Sequence, residues 1–309
     1  MAVALPSQTT RDSGPNVGAR PRLGSRSFIM HEKGSRHYWQ GLGCLSIKTF
    51  SGGRVFYEAG NGRYAVDESS YLILNQGQAY SVSVESETGL ESFCIFFEDG
   101  LAQEVERSLT ARPDRLLDDP EGRPDSPTGF FERTYPHDEV LSPVVFRLRG
   151  SLARRKQGPD WPNWPNWLDE RVREVMERLL EVHRRVRAEA RTFPALRAAT
   201  REELYRRLHR ARDFAAASFD RPLSLKEMAR VACLSPNHFL RTFKQIFHLT
   251  PHQYLTQIRL EHAQRLLTRL DLPVTDICFS VGFESPGSFS WLFRRRVGCS
   301  PEAFRREKR

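Results

Sequence analysis

The chain has 309 residues, of which 39% are hydrophobic and 28% charged, the balance of a globular protein of about two domains. No run of about 18 apolar residues occurs, which excludes a membrane-spanning helix. The five cysteines are scattered without a C-x-x-C pair, so we expect buried free thiols rather than a disulfide framework. These features predict a cytoplasmic protein without a metal or other cofactor.

The net charge of +9 is unevenly distributed. Residues 201–309 hold 20 basic and 11 acidic side chains, whereas residues 40–140 hold 8 basic and 18 acidic ones. Basic charge confined to one region indicates a polyanionic partner for that region.

The first part of the chain is predicted to be a tail followed by a β domain. Residues 1–27 are rich in Pro, Gly, Ser and Arg and lack the apolar core of a signal peptide, which predicts a disordered tail. Within residues 28–160, apolar and polar side chains alternate in short runs separated by the turn signals Gly52-Gly53, Asn61-Gly62 and Gly77. Such strands favour an antiparallel barrel or double-sheet roll. The runs are residues 45–50, 54–57, 70–74, 80–84 and 93–97.

Residues 161–200 are predicted to form a Trp/Pro segment and a linker helix. The prolines of the segment from Trp161 to Trp167 favour an extended or turning chain, which either packs on a domain surface or closes a ligand pocket. A helix is predicted next, with Asn166 as its N-cap. Its apolar residues follow a heptad spacing that either pairs two subunits, the interpretation we favour, or packs against the β domain. They are Leu168, Val172, Val175, Leu179, Val182 and Val186. Thr200 and Glu203 then predict a helix that begins at Arg201.

Residues 201–309 contain an internal repeat with an offset of 50 residues. The matching pairs are Val231 and Val281, Ser235-Pro236 and Ser285-Pro286, Phe239 and Phe289, Phe243 and Phe293, Thr250-Pro251 and Ser300-Pro301, and Tyr254 and Phe304. A capping box from Ser224 to Glu227 opens the first copy, and turns are expected at Cys233-Leu234 and Gly282. Each copy is thus predicted to be a helix-turn-helix, joined to the other by a long helix over residues 251–270.

Helical periodicity divides the second helix of each copy into two faces. The phenylalanines form the core stripe, and the opposite face carries the side chains that could meet DNA. Arginine pairs with guanine and asparagine with adenine, whereas late basic residues, Arg296 included, are placed for phosphates. Exposed N–H groups at the capping serines also favour a phosphate. The candidate DNA-binding residues are Ser235, Asn237, Leu240, Arg241, Lys244, Gln245, Ser285, Gly287, Ser290, Trp291, Arg294 and Arg295.

These motifs resemble the AraC/XylS family of bacterial transcription regulators over about residues 204–306. The resemblance rests on Leu234-Ser235-Pro236, Arg241 to Lys244, Thr250-Pro251, Val281-Gly282-Phe283 and Gly298 to Pro301. It implies an α+β protein with an all-α C-terminal domain of two helix-turn-helix units. It also implies an N-terminal cupin-like roll that senses a small effector or mediates dimerisation, although no effector-binding residue can be assigned by position.

The sequence departs from the family pattern at three places. His248 stands where the family usually ends the first recognition helix with Gly, so we expect an altered C-cap. Cys278 and Phe279 replace small residues. Gly287 offers no side chain for base reading, which favours phosphate and shape recognition by the second unit.

We therefore expect a sequence-specific regulator of AraC type that binds double-stranded promoter DNA at the bacterial nucleoid as a homodimer and responds to a small effector. RNA polymerase is a further implied partner. The alternative is a regulator without an effector, controlled by expression level or a protein partner. A nonspecific DNA binder would instead show equal affinity for all duplexes. An enzyme is disfavoured, because no P-loop or G-x-S-x-G motif occurs and no histidine lies between His37 and His137 to supply cupin metal ligands.

Overall fold

A computed structural model of the chain describes residues 25–110, 128–154, 162–192 and 198–308. The chain divides into two compact units, Met1–Pro194 and Ala195–Arg309. Residues 1–24 of the predicted tail and Trp161 of the Trp/Pro segment lie outside the described residues. The first unit carries an antiparallel sheet and the second is helical, so the predicted α+β class is confirmed.

The described strands of the first unit form one antiparallel sheet in the order β4-β3-β6-β2-β5-β7, with β1 paired along β6. The alternation pattern predicted β2, β3, β5 and two parts of β6, but it missed β1, β4 and β7. Polar residues interrupt β1, and β7 has only three residues, so neither shows a sustained period of two. The strands are β1 Phe28–Leu42, β2 Ser46–Ser51, β3 Val55–Ala59, β4 Gly62–Val66, β5 Ser70–Leu74, β6 Ala79–Phe96 and β7 Thr134–Pro136.

Strand β2 is buried on both faces, which is unusual for a strand with polar residues. Lys48 is only 2% exposed, and its Nζ lies 3.6 Å from the centroid of the Phe96 ring and 5.6 Å from that of Tyr80. Both rings belong to the apolar core on that face of the sheet. The aromatic faces therefore stabilise an ammonium group in the interior.

The described residues of this unit also form three helices: α1 Leu101–Thr110, α2 Ser142–Arg154 and α3 Trp164–Arg191. All six apolar residues of the predicted seam on α3 are buried in the single chain. Helix α3 packs against α1 and α2, and His183 of α3 lies against the rings of Phe130 and Phe131. The seam therefore fills the core of its own domain, and the prediction that it pairs two subunits was wrong.

Helix α3 also begins earlier than predicted. Its N-cap is Asn163 rather than Asn166, and Trp164 to Trp167 are helical rather than extended. Pro165 lies in the first turn, where a missing N–H leaves no hydrogen bond unmade. The rings of Trp164 and Trp167 then pack with centroids 5.4 Å apart.

The second unit contains seven described helices: α4 Ala198–Ala217, α5 Leu225–Val231, α6 Pro236–Phe247, α7 Pro251–Arg269, α8 Val274–Ser280, α9 Pro286–Val297 and α10 Pro301–Lys308. Helix α4 starts before the predicted cap at Thr200, because the alanines at 198 and 199 are strong helix formers. The long connecting helix α7 ends one residue short of its predicted limit and carries a full capping box of Thr250 and Gln253. No helix in the described residues is long and apolar enough to cross a membrane.

Candidate nucleic-acid interface

Helices α5 and α6 form the first helix pair. Ser224 caps α5 by accepting a hydrogen bond from the Glu227 backbone N–H at 3.1 Å. The Glu227 carboxylate binds Arg221 at 2.6 Å, and this hydrogen bond lowers the pKa of the carboxyl group. Cys233 adopts a left-handed conformation with φ 52°, and Ser235 caps α6 by accepting from the His238 N–H. The predicted turn and second cap are therefore present.

Helices α8 and α9 form the second helix pair in the same way. Gly282 takes the left-handed position with φ 83°, and Ser285 caps α9 by accepting from the Ser288 N–H. In both pairs the chain leaves the first helix through a Schellman-type bond, from Leu234 N to Ala229 O and from Phe283 N to Cys278 O. The two turns thus use the same hydrogen-bond geometry.

The second turn is one residue longer than the first. One residue separates the left-handed Cys233 from the cap Ser235, whereas two separate Gly282 from Ser285. The first helices therefore correspond with an offset of 49 residues and the second helices with 50. The predicted match of Val231 with Val281 was wrong, because the equivalent of buried Val281 is the buried C-cap Ala232.

The core stripes of α6 and α9 hold each pair on the domain. They consist of the fully buried Phe239, Phe243, Phe289 and Phe293. Phe243 packs on Tyr254 of α7 with centroids 5.7 Å apart, and Phe293 packs on Phe304 of α10 at 5.6 Å. The predicted core face is thus the observed one.

The opposite faces of α6 and α9 carry the predicted contact residues. At about 100° per residue, Arg241 and Trp291 lie about 160° from the phenylalanines, at the centre of each outward face. All the predicted residues are exposed apart from Ser290, which is half-buried: Ser235, Asn237, Leu240, Arg241, Lys244 and Gln245 in the first pair, and Ser285, Gly287, Trp291, Arg294 and Arg295 in the second. Leu240 is 37% exposed and Trp291 59% exposed.

Both outward faces are positively charged. Helix α6 carries Arg241 and Lys244, α9 carries Arg294, Arg295 and Arg296, and neither helix contains an acidic residue. All five cations are exposed, and no described residue forms an ion pair with any of them. The positive potential of the two faces is therefore not neutralised by the protein around them.

Helix α6 ends in the left-handed conformation that a glycine would give, despite the unusual residue at its end. His248 is the C-cap of α6 and adopts a left-handed conformation with φ 58°, as Gly298 does after α9 with φ 97°. The prediction of an altered C-cap was therefore wrong in conformation. Histidine tolerates this region better than β-branched residues do.

Two polar clusters that position the helices were missed from the sequence. Arg259 of α7 donates from Nε to the Phe219 carbonyl at 2.8 Å and from a terminal nitrogen to the Arg221 carbonyl at 2.9 Å. On α4, Arg212 forms an ion pair with Asp213 at 2.6 Å, and the Asp213 side chain is 1% exposed. The Arg212 guanidinium also lies 5.9 Å from the Phe247 ring at the end of α6. No spacing rule predicts these contacts. Arg259 and its two carbonyl partners are about forty residues apart, and Arg212 and Asp213 are adjacent in the sequence, which is not a spacing that brings side chains together on a helix.

A family model described as a helix-turn-helix domain matches residues 228–307. The melibiose operon regulatory protein of Escherichia coli K12 is 32% identical over 93 residues, which are 30% of this chain and 31% of that protein. The transcriptional activator RhaS of Escherichia fergusonii is 41% identical over 87 residues, which are 28% of this chain and 31% of RhaS. The chain therefore spans about a third of the length of these curated relatives.

Among solved structures, a transcriptional regulator with an AraC-type DNA-binding domain from Chromobacterium violaceum is 26% identical and has a TM-score of 0.32. The match covers 36% of this chain and 96% of that one. The family model and the named relatives confirm the predicted AraC/XylS resemblance. Residues 228–307 are similar to helix-turn-helix domains of the AraC type.

Proposed function

We propose that this protein is an AraC-type transcription regulator that binds specific promoter DNA through two helix-turn-helix units, the helix pairs α5–α6 and α8–α9. The observation that carries the proposal is that α6 and α9 carry five exposed cations and no acidic residue, with four of the cations, Arg241, Lys244, Arg294 and Arg295, on the outward faces. Two such helices on one chain suit successive major-groove segments, about 34 Å apart along B-DNA.

The side chains on these faces divide by chemistry. Asn237 and Arg241 lie on the N-terminal half of α6, the part of a recognition helix that meets base edges, and have the hydrogen-bonding groups that read adenine and guanine. Lys244 and the three arginines from Arg294 to Arg296 lie late in their helices, where phosphates are nearer. Ser235 and Ser285 place helix N-termini toward the backbone phosphates. Leu240, Gln245, Gly287 and Ser290 complete the contact surface.

The direct test is selection of bound sequences from a random duplex library with the full chain. We expect one enriched motif that spans more than one helical turn of DNA. A nonspecific architectural binder would enrich nothing and would show equal affinity for all duplexes with a steep salt dependence. Mapping bound genomic DNA would then identify the regulated genes.

Arg241→Ala should relax sequence preference and cost about 1–3 kcal/mol of binding free energy on the selected site, because a bidentate pair with guanine is lost. Lys244→Ala, one turn further along the same exposed face, is the matched control. It should weaken all duplexes alike and reduce the slope of log affinity against log salt by about one. Fluorescence anisotropy on selected and scrambled duplexes over a salt series measures both. Unchanged discrimination in Arg241→Ala would show that Arg241 does not read a base.

We also propose that the N-terminal unit is a cupin-like sensor domain. In support, its antiparallel sheet carries an aromatic-rich core, and the Lys48 ammonium is buried there beside Phe96. The alternative, a regulator without an effector, is retained. DNA affinity of the dialysed protein, measured with and without a low-molecular-weight cell fraction, separates the two. A changed affinity supports the sensor, and an unchanged one supports the alternative.

The homodimer remains part of the proposal, but without the α3 seam as its contact. Since that stripe is filled by its own domain, charge reversals along it should unfold the N-terminal unit rather than release a monomer. Sedimentation of the wild type with and without DNA tests the oligomeric state directly. RNA polymerase is proposed as a partner on the strength of the regulatory role alone.

A further inference from the structure

We propose that Trp291 reads the methyl group of a thymine, so that the two helix-turn-helix units recognise chemically different bases. The inference rests on the proposed function, in which α9 enters the major groove. It adds a specificity determinant to the unit whose Gly287 otherwise leaves little for base recognition.

Trp291 and Arg241 occupy equivalent positions. Each lies six residues after the capping serine of its helix, Ser285 or Ser235, and each is at the centre of the outward face. The same position therefore presents a guanidinium in one unit and an indole in the other. An indole has a single N–H donor on a large apolar ring, so it cannot form the two-donor pair that a guanidinium makes with guanine O6 and N7, and its ring suits an apolar group.

The surroundings of Trp291 leave one side of its ring open. Arg295, one turn further along α9, lies with its guanidinium carbon 5.1 Å from the ring centroid, an arrangement that holds the indole from the C-terminal side. On the N-terminal side, one turn earlier, is Gly287, where an added Cβ would meet only the Ser285 Oγ, at 3.7 Å. Helical side chains lean toward the N-terminus, which is the end that a recognition helix presents to base edges.

The charge around Trp291 indicates the occupant of this open side. Trp291 is a large apolar side chain that is 59% exposed, so a partner that covered its ring would gain free energy from the buried apolar area. Three arginines from Arg294 to Arg296 and no acidic residue share the helix, which favours a polyanion over an apolar protein surface. Among the four bases, only thymine shows an apolar group, its C5 methyl, in the major groove.

The test removes single methyl groups from the DNA. In the duplex selected by the full chain, each thymine is replaced in turn by deoxyuridine, and affinities are measured for the wild type and for Trp291→Ala. At one or two positions the wild type should lose about threefold to fivefold in affinity, the effect of burying one methyl group. Trp291→Ala should bind the unmodified duplex about tenfold more weakly and lose nothing further at those positions. Arg241→Ala, the matched control, should keep the wild-type sensitivity to deoxyuridine.

Equal deoxyuridine losses in the wild type and Trp291→Ala, or no loss in the wild type, would overturn the assignment. If a motif is nevertheless selected and Arg241→Ala relaxes it, the proposed function stands and only the role of Trp291 is rejected. If no motif is selected, both fall. As a second variant, Trp291→Arg should change the selected base at the sensitive position from thymine to guanine. A retained thymine there would also contradict the inference.

Discussion

Gly282→Ala is expected to destabilise the C-terminal unit by about 2–5 kcal/mol, because the new methyl group has no room and the backbone conformation disfavours it. The φ of Gly282 is 83°, and an added Cβ would lie 2.5 Å from the Phe219 carbonyl oxygen and 2.9 Å from the Asp220 carbonyl carbon. Both neighbours are backbone atoms, so relief requires a shift of the chain after α4. Urea-dependent hydrogen exchange, read by mass spectrometry on peptides from residues 274–297 of the full chain, measures the loss locally.

Gly298→Ala is the matched control for the steric part of this effect. Gly298 has a φ of 97°, also unfavourable for alanine, but nothing lies within 4 Å of an added Cβ. Gly298→Ala should therefore lower the free energy of unfolding only by the cost of a left-handed alanine, about 1–2 kcal/mol. Equal costs for the two variants would show that the contact with residues 219 and 220 relaxes freely. Because Gly282 sets the direction in which α9 leaves the turn, only Gly282→Ala should also weaken DNA binding strongly.

The sequence predicted the second unit well wherever the determining contacts are local. Ser235 and Ser285 cap helices that start at the next residue, and the four-residue spacing of Phe239 and Phe243 defines one buried stripe. Caps and stripes depend on residues within one or two turns, so their signals survive in a single sequence. The residues opposite the stripe were predicted by the same periodicity, and all of them except the half-buried Ser290 are exposed.

The one-residue difference between the two turns could not be predicted from the repeat. A constant offset pairs Val231 with Val281, but the hydrogen bonds that end α5 and α8 pair Ala232 with Val281 instead. Ala232 and Val281 differ in size although both are buried, so residue similarity gave no guide. Turn length is set by where the backbone bonds close, which a comparison of side chains does not reveal.

In the first unit, the sequence identified buried faces but not their partners. The stripe on α3 from Leu168 to Val186 is as apolar as a coiled-coil seam, and periodicity alone does not say whether a subunit or the same domain covers it. Lys48 is a case in which the sequence predicted the wrong face. A lysine in an alternating strand predicts an outward side chain, whereas here aromatic rings from β6 hold it inside.

Loss of the buried ion pair on α4 is the second large effect that we expect. Asp213→Ala should destabilise the C-terminal unit by about 3–5 kcal/mol, because it leaves the Arg212 guanidinium without its carboxylate in a largely buried site. The Asp213 side chain is 1% exposed and that of Arg212 14% exposed, so water compensates little. Arg212 also lies against Phe247, so the end of α6 should lose protection in hydrogen exchange together with α4.

A surface pair on the same helix provides the control for Asp213→Ala. Arg207 and Glu203 form an ion pair at 2.7 Å with side chains 36% and 50% exposed, so Glu203→Ala should cost less than about 1 kcal/mol. The double variant Arg212→Met, Asp213→Leu removes both charges and should recover most of the stability lost in Asp213→Ala. If the double variant is as unstable as Asp213→Ala, the loss comes from packing at this site and not from an uncompensated charge. If Asp213→Ala costs no more than Glu203→Ala, the ion pair of Arg212 and Asp213 does not hold α4 against the end of α6.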